Sequence, residues 1–186
     1  RSSRWQGRCT NCGAWGSLTE EAEQTSGKKN LRKVSLAKNP AMKLRDISQE
    51  GEIRLITGIS ELDRVLGGGI IPGSLILVGG DPGIGKSTMM LQMCSGLAKH
   101  GPVYVTGEES LRQIKFRASR LSGIPEDLTV LAETNIERIN AVIQSDEYRS
   151  AIVDSIQSVY SDKIDAAPGS VAQVRECAAL LMNTAK

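Results

Sequence analysis

Gly80-Asp81-Pro82-Gly83-Ile84-Gly85-Lys86-Ser87 fits the pattern G-x-x-x-x-G-K-[ST] at every fixed position, and Thr88 follows it. The chemistry is anion binding. Successive backbone N–H groups in such a loop converge on phosphate oxygens, and the positive end of a following helix adds to the attraction. Gly83 and Gly85 leave no Cβ in the path of the phosphates. Lys86 is expected to reach the β- and γ-phosphates of ATP, and the Ser87 hydroxyl to hold Mg²⁺. Acids further along can complete a hydrolytic site. Glu108 and Glu109 follow a strand-like run and can orient an attacking water. The alternative for them is two acids favouring the dipole of the next helix. Of the two, Glu109 is the preferred catalytic residue. Asp154 ends the apolar run Ala151-Ile152-Val153, about 65 residues beyond the loop, in the manner of a Walker B strand. It is expected to hold the Mg²⁺ shell beside Ser87, the alternative being an ordinary polar strand end.

Such residues must be carried on strand ends and helix starts. Residues 75–78, Leu-Ile-Leu-Val, read as a buried strand entering the loop, and a helix over about 86–99 leaves it. On that helix Met89, Met93 and Leu97 share one face, with Met90 and Cys94 beside them, so the methionines read as core. His100 lies past its end and reads as a surface histidine. Upstream, 53–57 reads as a strand, and Ser60-Glu61-Leu62-Asp63 as a capping box opening a helix through 66, stopped by Gly67-Gly68-Gly69. Downstream, strands are expected at 103–106, 129–131 and 149–155, and helices at 111–121, after Asn135 and from about 170. Arg112, Lys115, Arg117 and Arg120 on the first of these helices fit a solvated face or an inter-subunit contact. The last helix is expected to turn Val171, Val174, Ala178 and Leu181 inward, with Cys177 packed among them. Residues 161–169 form a polar loop at the carboxyl edge of the sheet, read as a candidate mobile segment. The order of elements predicts an α/β fold with a mainly parallel sheet.

Charge divides the chain. Residues 1–45 hold ten Lys/Arg and three Glu, against thirteen Lys/Arg and eighteen Asp/Glu in the remainder. A basic arm thus precedes a mildly acidic body, and fits either an anionic partner or a solvated linker. The expected organisation is a knuckle remnant over 1–18, a flexible basic linker over 19–44 and an ATPase core over 45–186. Cys9-Thr10-Asn11-Cys12-Gly13 has the tight turn of a zinc knuckle, but tetrahedral zinc needs four ligands and only two are near. A structureless remnant and a redox pair are the alternatives. No run of eighteen apolar residues spans a membrane, and no signal peptide is visible. Four scattered cysteines in a nucleotide-binding chain point to the cytoplasm.

A family resemblance emerges from several segments together. Residues 57–74, Thr-Gly-Ile-Ser-Glu-Leu-Asp-Arg-Val-Leu-Gly-Gly-Gly-Ile-Ile-Pro-Gly-Ser, resemble the lead-in to the loop in the RecA/KaiC group of P-loop ATPases. With Val105-Thr106-Gly107-Glu108-Glu109-Ser110, Asp154-Ser155-Ile156-Gln157-Ser158-Val159-Tyr160 and Cys9-x-x-Cys12-Gly13-Ala14-Trp15, the chain resembles the bacterial RadA (Sms) family. The resemblance implies a RecA-like core and a DNA-dependent ATPase of recombinational repair. It implies action with the RecA recombinase in branch migration, binding of single-stranded or branched DNA, and a hexameric ring. By position, 161–169 resembles the first DNA-facing loop of RecA-type cores. The family has two CxxC pairs forming a zinc finger, a Lys-Asn-Arg-Phe-Gly motif and a Lon-protease-like domain. Only the second pair occurs here, so the chain is expected to be a fragment, with Zn²⁺ held in the complete protein. Two rival readings share the loop and the glutamate pair: a KaiC-like regulatory ATPase with a protein partner, and a module that binds ATP without turnover.

Overall fold

A computed structural model describes Trp15 and residues 42–47, 53–145 and 147–186. The chain divides into two units, Arg1–Ser48 and Gln49–Lys186. In the first, Trp15 is exposed and Leu44–Asp46 form a 3-10 turn without a buried residue. Cys9, Cys12 and most of the 19–44 linker lie outside the described residues.

The second unit is built on three parallel strands in the order β2-β1-β3. These are β1 (Pro102–Thr106), β2 (Thr129–Ala132) and β3 (Ser150–Asp154). The central strand, β1, is buried at all of its positions, as a parallel strand covered on both faces must be. Its side chains alternate between two cores. Tyr104 packs with Ile152, with Leu91, Met93 and Cys94 of α2 (Lys86–Gly96) and with Ile114 of α3 (Leu111–Ala118). Val103 and Val105 face the other way, toward Val159, Ile136 and Ile139 of α4 (Ile136–Ile143) and Cys177 of α5 (Val171–Ala185). Helices therefore cover both faces of the sheet. Each fully buried Leu or Ile contributes on the order of 1.5–3 kcal/mol. The fold is an α/β arrangement consistent with a RecA-like ATPase core.

Helix starts follow local chemistry. Ser110 and Gln113 close a reciprocal capping box at α3. The Asn135 side chain accepts from the Arg138 N–H at α4, as expected, and Ser170 accepts from the Gln173 N–H at α5. The box expected at Ser60 does not form. Helix α1 (Ser60–Val65) already includes Ser60, and its preceding turn is tied otherwise. Asp63 Oδ1 accepts from the Thr57 N–H at 2.9 Å, and Thr57 Oγ1 accepts from the Ile59 N–H at 3.2 Å.

Several expected faces and strands are corrected. Residues 75–78 form no strand and make no hydrogen bond among the described residues, and Leu77 is 84 % exposed. A strand needs a neighbour to satisfy its N–H and C=O groups, and no described strand lies beside this run. Residues 53–57 contribute only an antiparallel bridge, Leu55 to Ile70. The loop helix turns into a 3-10 turn at Ala98–His100; Met93, Cys94 and Leu97 are buried as expected, Leu91 joins them, and Met89 is only half-buried. On α5 Cys177 is buried and Leu181 packs against the same core, as expected, but Gln173 is buried as well and Val171 is 84 % exposed. A polar Gln173 at the centre of the face displaced the purely apolar pattern.

Close approach explains one glycine. A Cβ on Gly96 would stand 2.1 Å from the Thr57 carbonyl oxygen, so helix α2 lies directly against the 57–58 backbone.

Candidate functional site

The phosphate-loop motif runs directly into α2. Gly85, at φ 100° in the left-handed region, is the residue before the helix, and Gly83 has φ 79°. Both conformations are costly for any residue carrying a Cβ. Helix α2 begins at Lys86, so Ser87 and Thr88 lie in its first turn, where N–H groups have no partner within the helix. The Lys86 ammonium donates to the carbonyl oxygens of Gly80 at 2.7 Å and Asp81 at 2.8 Å, folding the lysine back over its own loop. Gly80, Asp81, Pro82, Gly83, Ile84 and Gly85 are all exposed.

The acidic groups gather where β1 and β3 end. Thr106 and Asp154 are register partners, so the Glu108-Glu109 turn and the segment after Asp154 leave the sheet side by side. The Gly107 N–H donates to the Asp154 carbonyl at 3.2 Å. A Cβ on Gly107 would meet Ser158 Oγ at 2.1 Å, so glycine lets the two exits touch. The Asp154–Ser155 peptide is cis.

The two glutamates occupy different surroundings. Glu108 is exposed, and its Oε1 accepts from Ser155 Oγ at 2.7 Å, next to Asp154. Glu109 turns back to Arg117 of α3, which donates to its Oε1, and its N–H donates to Thr106 Oγ1 at 3.0 Å. Arg117 thus faces Glu109 and is not part of a solvated stripe, whereas Arg112, Lys115 and Arg120 remain exposed. Asp154 is half-buried, and its Oδ2 accepts from the Tyr104 hydroxyl at 2.6 Å. No hydrogen bond among the described residues joins Lys86 or Ser87 to Asp154. The structure therefore brings Glu108 and Asp154 to one edge, shows the phosphate loop with its helix start, and ties Glu109 into an ion pair.

Mg²⁺ prefers oxygen donors. The Ser87 hydroxyl and Asp154 Oδ1 make no hydrogen bond among the described residues, and each is an oxygen donor of the type that Mg²⁺ takes. No group of three or more His, Cys, Asp or Glu side chains among the described residues could hold a metal ion. Burial pushes the Cys94 thiol up to about 12 and raises that of Cys177, which keeps both as neutral core groups.

Tyr104 and Ser155 were not singled out from sequence. Tyr104 carried one readable signal: a phenol in the middle of an apolar strand needs a partner for its hydroxyl. Ser155 carried none beyond adjacency to an acid.

The 161–169 loop is held rather than loose. Gln173 accepts from the Ser161 N–H at 2.8 Å and donates to the carbonyls of Ser161, Ile164 and Ala166 at 3.1, 2.9 and 3.0 Å. Ser161 Oγ donates to Glu137, and Asn135 Nδ2 donates to Asp162.

A glycine loop opening a helix, beside a parallel sheet whose carboxyl edge carries acids, defines a P-loop nucleotide-binding α/β protein. The model of the KaiC ATPase family matches residues 55–151, slightly more than half of the chain, and the chain belongs to that family. Along its whole length it is similar to bacterial proteins called DNA repair protein RadA. The protein of Halalkalibacterium halodurans is 47 % identical, aligned to 100 % of this chain and 41 % of its own length. That of Haemophilus influenzae is 50 % identical over 99 % of this chain and 41 % of its own. That of Campylobacter jejuni is 46 % identical over 100 % of this chain and 42 % of its own. The chain spans about two-fifths of the length of these relatives. No described helix is long and apolar enough to cross a membrane.

Proposed function

We propose that this chain is the nucleotide-binding part of a DNA-dependent ATPase of recombinational repair. One observation carries the ATPase reading: a left-handed Gly85 ends the phosphate loop and starts α2 at Lys86. The names of the relatives support the repair role. In the complete protein, subunits form a hexameric ring on single-stranded or branched DNA and act with the RecA recombinase in branch migration.

The loop amides and the first turn of α2 bind the phosphates, and Lys86 leaves the Gly80 and Asp81 carbonyls to meet the β- and γ-phosphate oxygens. Ser87 and Asp154 hold Mg²⁺, which when bound offsets charge on the phosphates. Glu108 orients the attacking water. It is exposed and adjacent to Asp154, whereas Glu109 is engaged by Arg117, so the geometry favours the first of the pair. Lys86 and the amides stabilise charge developing on the transferring phosphoryl group.

The test is ATP turnover by the full-length protein with and without single-stranded DNA. The unmodified protein is expected to be stimulated by DNA. Lys86→Ala should abolish turnover, and Glu108→Gln should lower it roughly 100-fold or more while ATP still binds. Turnover retained in Lys86→Ala overturns the phosphate-loop assignment. Turnover indifferent to DNA transfers the protein to a regulatory ATPase with a protein partner.

A further inference from the structure

We propose that Tyr104 is a positioning residue for Asp154, fixing the direction from which that carboxylate meets the metal shell; this rests on the metal role given to Asp154 above. Tyr104 is 0 % exposed in the centre of the sheet. Its register partner on β3 is Ile152, and Asp154 lies two residues further along the same face of that strand. The phenol reaches across this offset, and its hydroxyl donates to Oδ2 at 2.6 Å. A hydroxyl donating to a carboxylate at this distance is a short, charge-assisted hydrogen bond. No other side chain among the described residues bonds to Asp154.

The bond has two consequences. One carboxylate oxygen is occupied from inside the core, so Oδ1 is the oxygen left for a cation. The carboxylate is also held against rotation at the end of a short strand. The phenol has a single O–H, and in this geometry it is spent on Asp154 Oδ2. Groups that orient a metal ligand in this way typically change metal affinity by roughly 10- to 100-fold when removed.

The experiment uses the full-length protein with a non-hydrolysable ATP analogue and Mn²⁺, with free Mn²⁺ followed by electron paramagnetic resonance. Tyr104→Phe removes the donor and keeps the ring that fills the core. It is expected to weaken Mn²⁺ binding roughly 10-fold or more, with analogue binding in EDTA unchanged. Asp154→Asn is the reference for loss of the ligand itself. Mn²⁺ affinity unchanged in Tyr104→Phe but weakened in Asp154→Asn overturns the positioning role alone. Mn²⁺ affinity unchanged in Asp154→Asn overturns the metal role of Asp154, and the proposal with it. Should Tyr104→Phe not fold, 3,5-difluorotyrosine at 104 replaces it; that change alters donor strength with the ring retained, and an unaltered Mn²⁺ affinity overturns the proposal.

Discussion

Gln173→Met replaces an amide with an apolar chain of similar length, so the volume of the site is nearly conserved and the effect isolates polar satisfaction. Gln173 is 1 % exposed, and its amide makes all four of its hydrogen bonds to the backbone of 161–166. The Ser161 N–H loses its only partner among the described residues, at a residue 1 % exposed, where water does not replace it. Leaving such a group unsatisfied costs about 1–3 kcal/mol. The Ser161 carbonyl keeps a long bond of 3.4 Å from the Ile164 N–H and loses less. Ile164 and Ala166 are half-exposed, so water recovers much of their loss. The total is about 2–4 kcal/mol. Urea unfolding read by circular dichroism gives the stability change, and native-state hydrogen exchange at the Ser161 amide gives the local one. The midpoint should fall with the urea slope unchanged, and Ser161 protection should drop more than that of the β1 amides. A loss below about 0.5 kcal/mol, or protection at Ser161 equal to that of the parent, would refute the view that this one glutamine holds the loop.

Gly96→Ala should destabilise the protein by more than about 3 kcal/mol, measured by chemical unfolding, because its Cβ meets rigid Thr57 backbone at 2.1 and 2.2 Å instead of a yielding side chain. A near-neutral result would mean that α2 does not rest on 57–58. The Glu133 carboxylate is held below its ordinary value by N–H donation from Asn135 and then Thr134, with Arg138 adding a smaller part. Its contribution to stability is complete above the unfolded value and is lost as pH falls through the lowered native one. Glu133→Gln should therefore cost stability at neutral pH and progressively less on acidification below about pH 5. Unfolding midpoints measured across that range check it, and a constant difference would refute it.

The phosphate-loop motif and the helix it opens were readable because their constraints are local. The phosphate loop needs its glycines, Lys86 and Ser87 at fixed spacing, and that spacing survives in any context. The Asn135 cap was legible for the same reason: a helix start is satisfied within four residues. Even the division of β1 between two cores follows from alternation, once its strand character is granted. What lay beyond the sequence depends on neighbours distant along the chain. Residues 75–78 have the composition of a strand, yet a strand also requires a partner edge, which composition does not supply. On the inward face of α5 Gln173 was missed because it is buried for its hydrogen bonds and not for its hydrophobicity. Glu108 and Glu109 are adjacent and chemically alike. Only tertiary structure separates them, by setting Arg117 against one and Ser155, 47 residues away, against the other. Likewise Asp154 is marked in sequence as an acid at a strand end. That a phenol 50 residues earlier grips it is decided by the register of β1 on β3, because parallel pairing sets which side chains share a face.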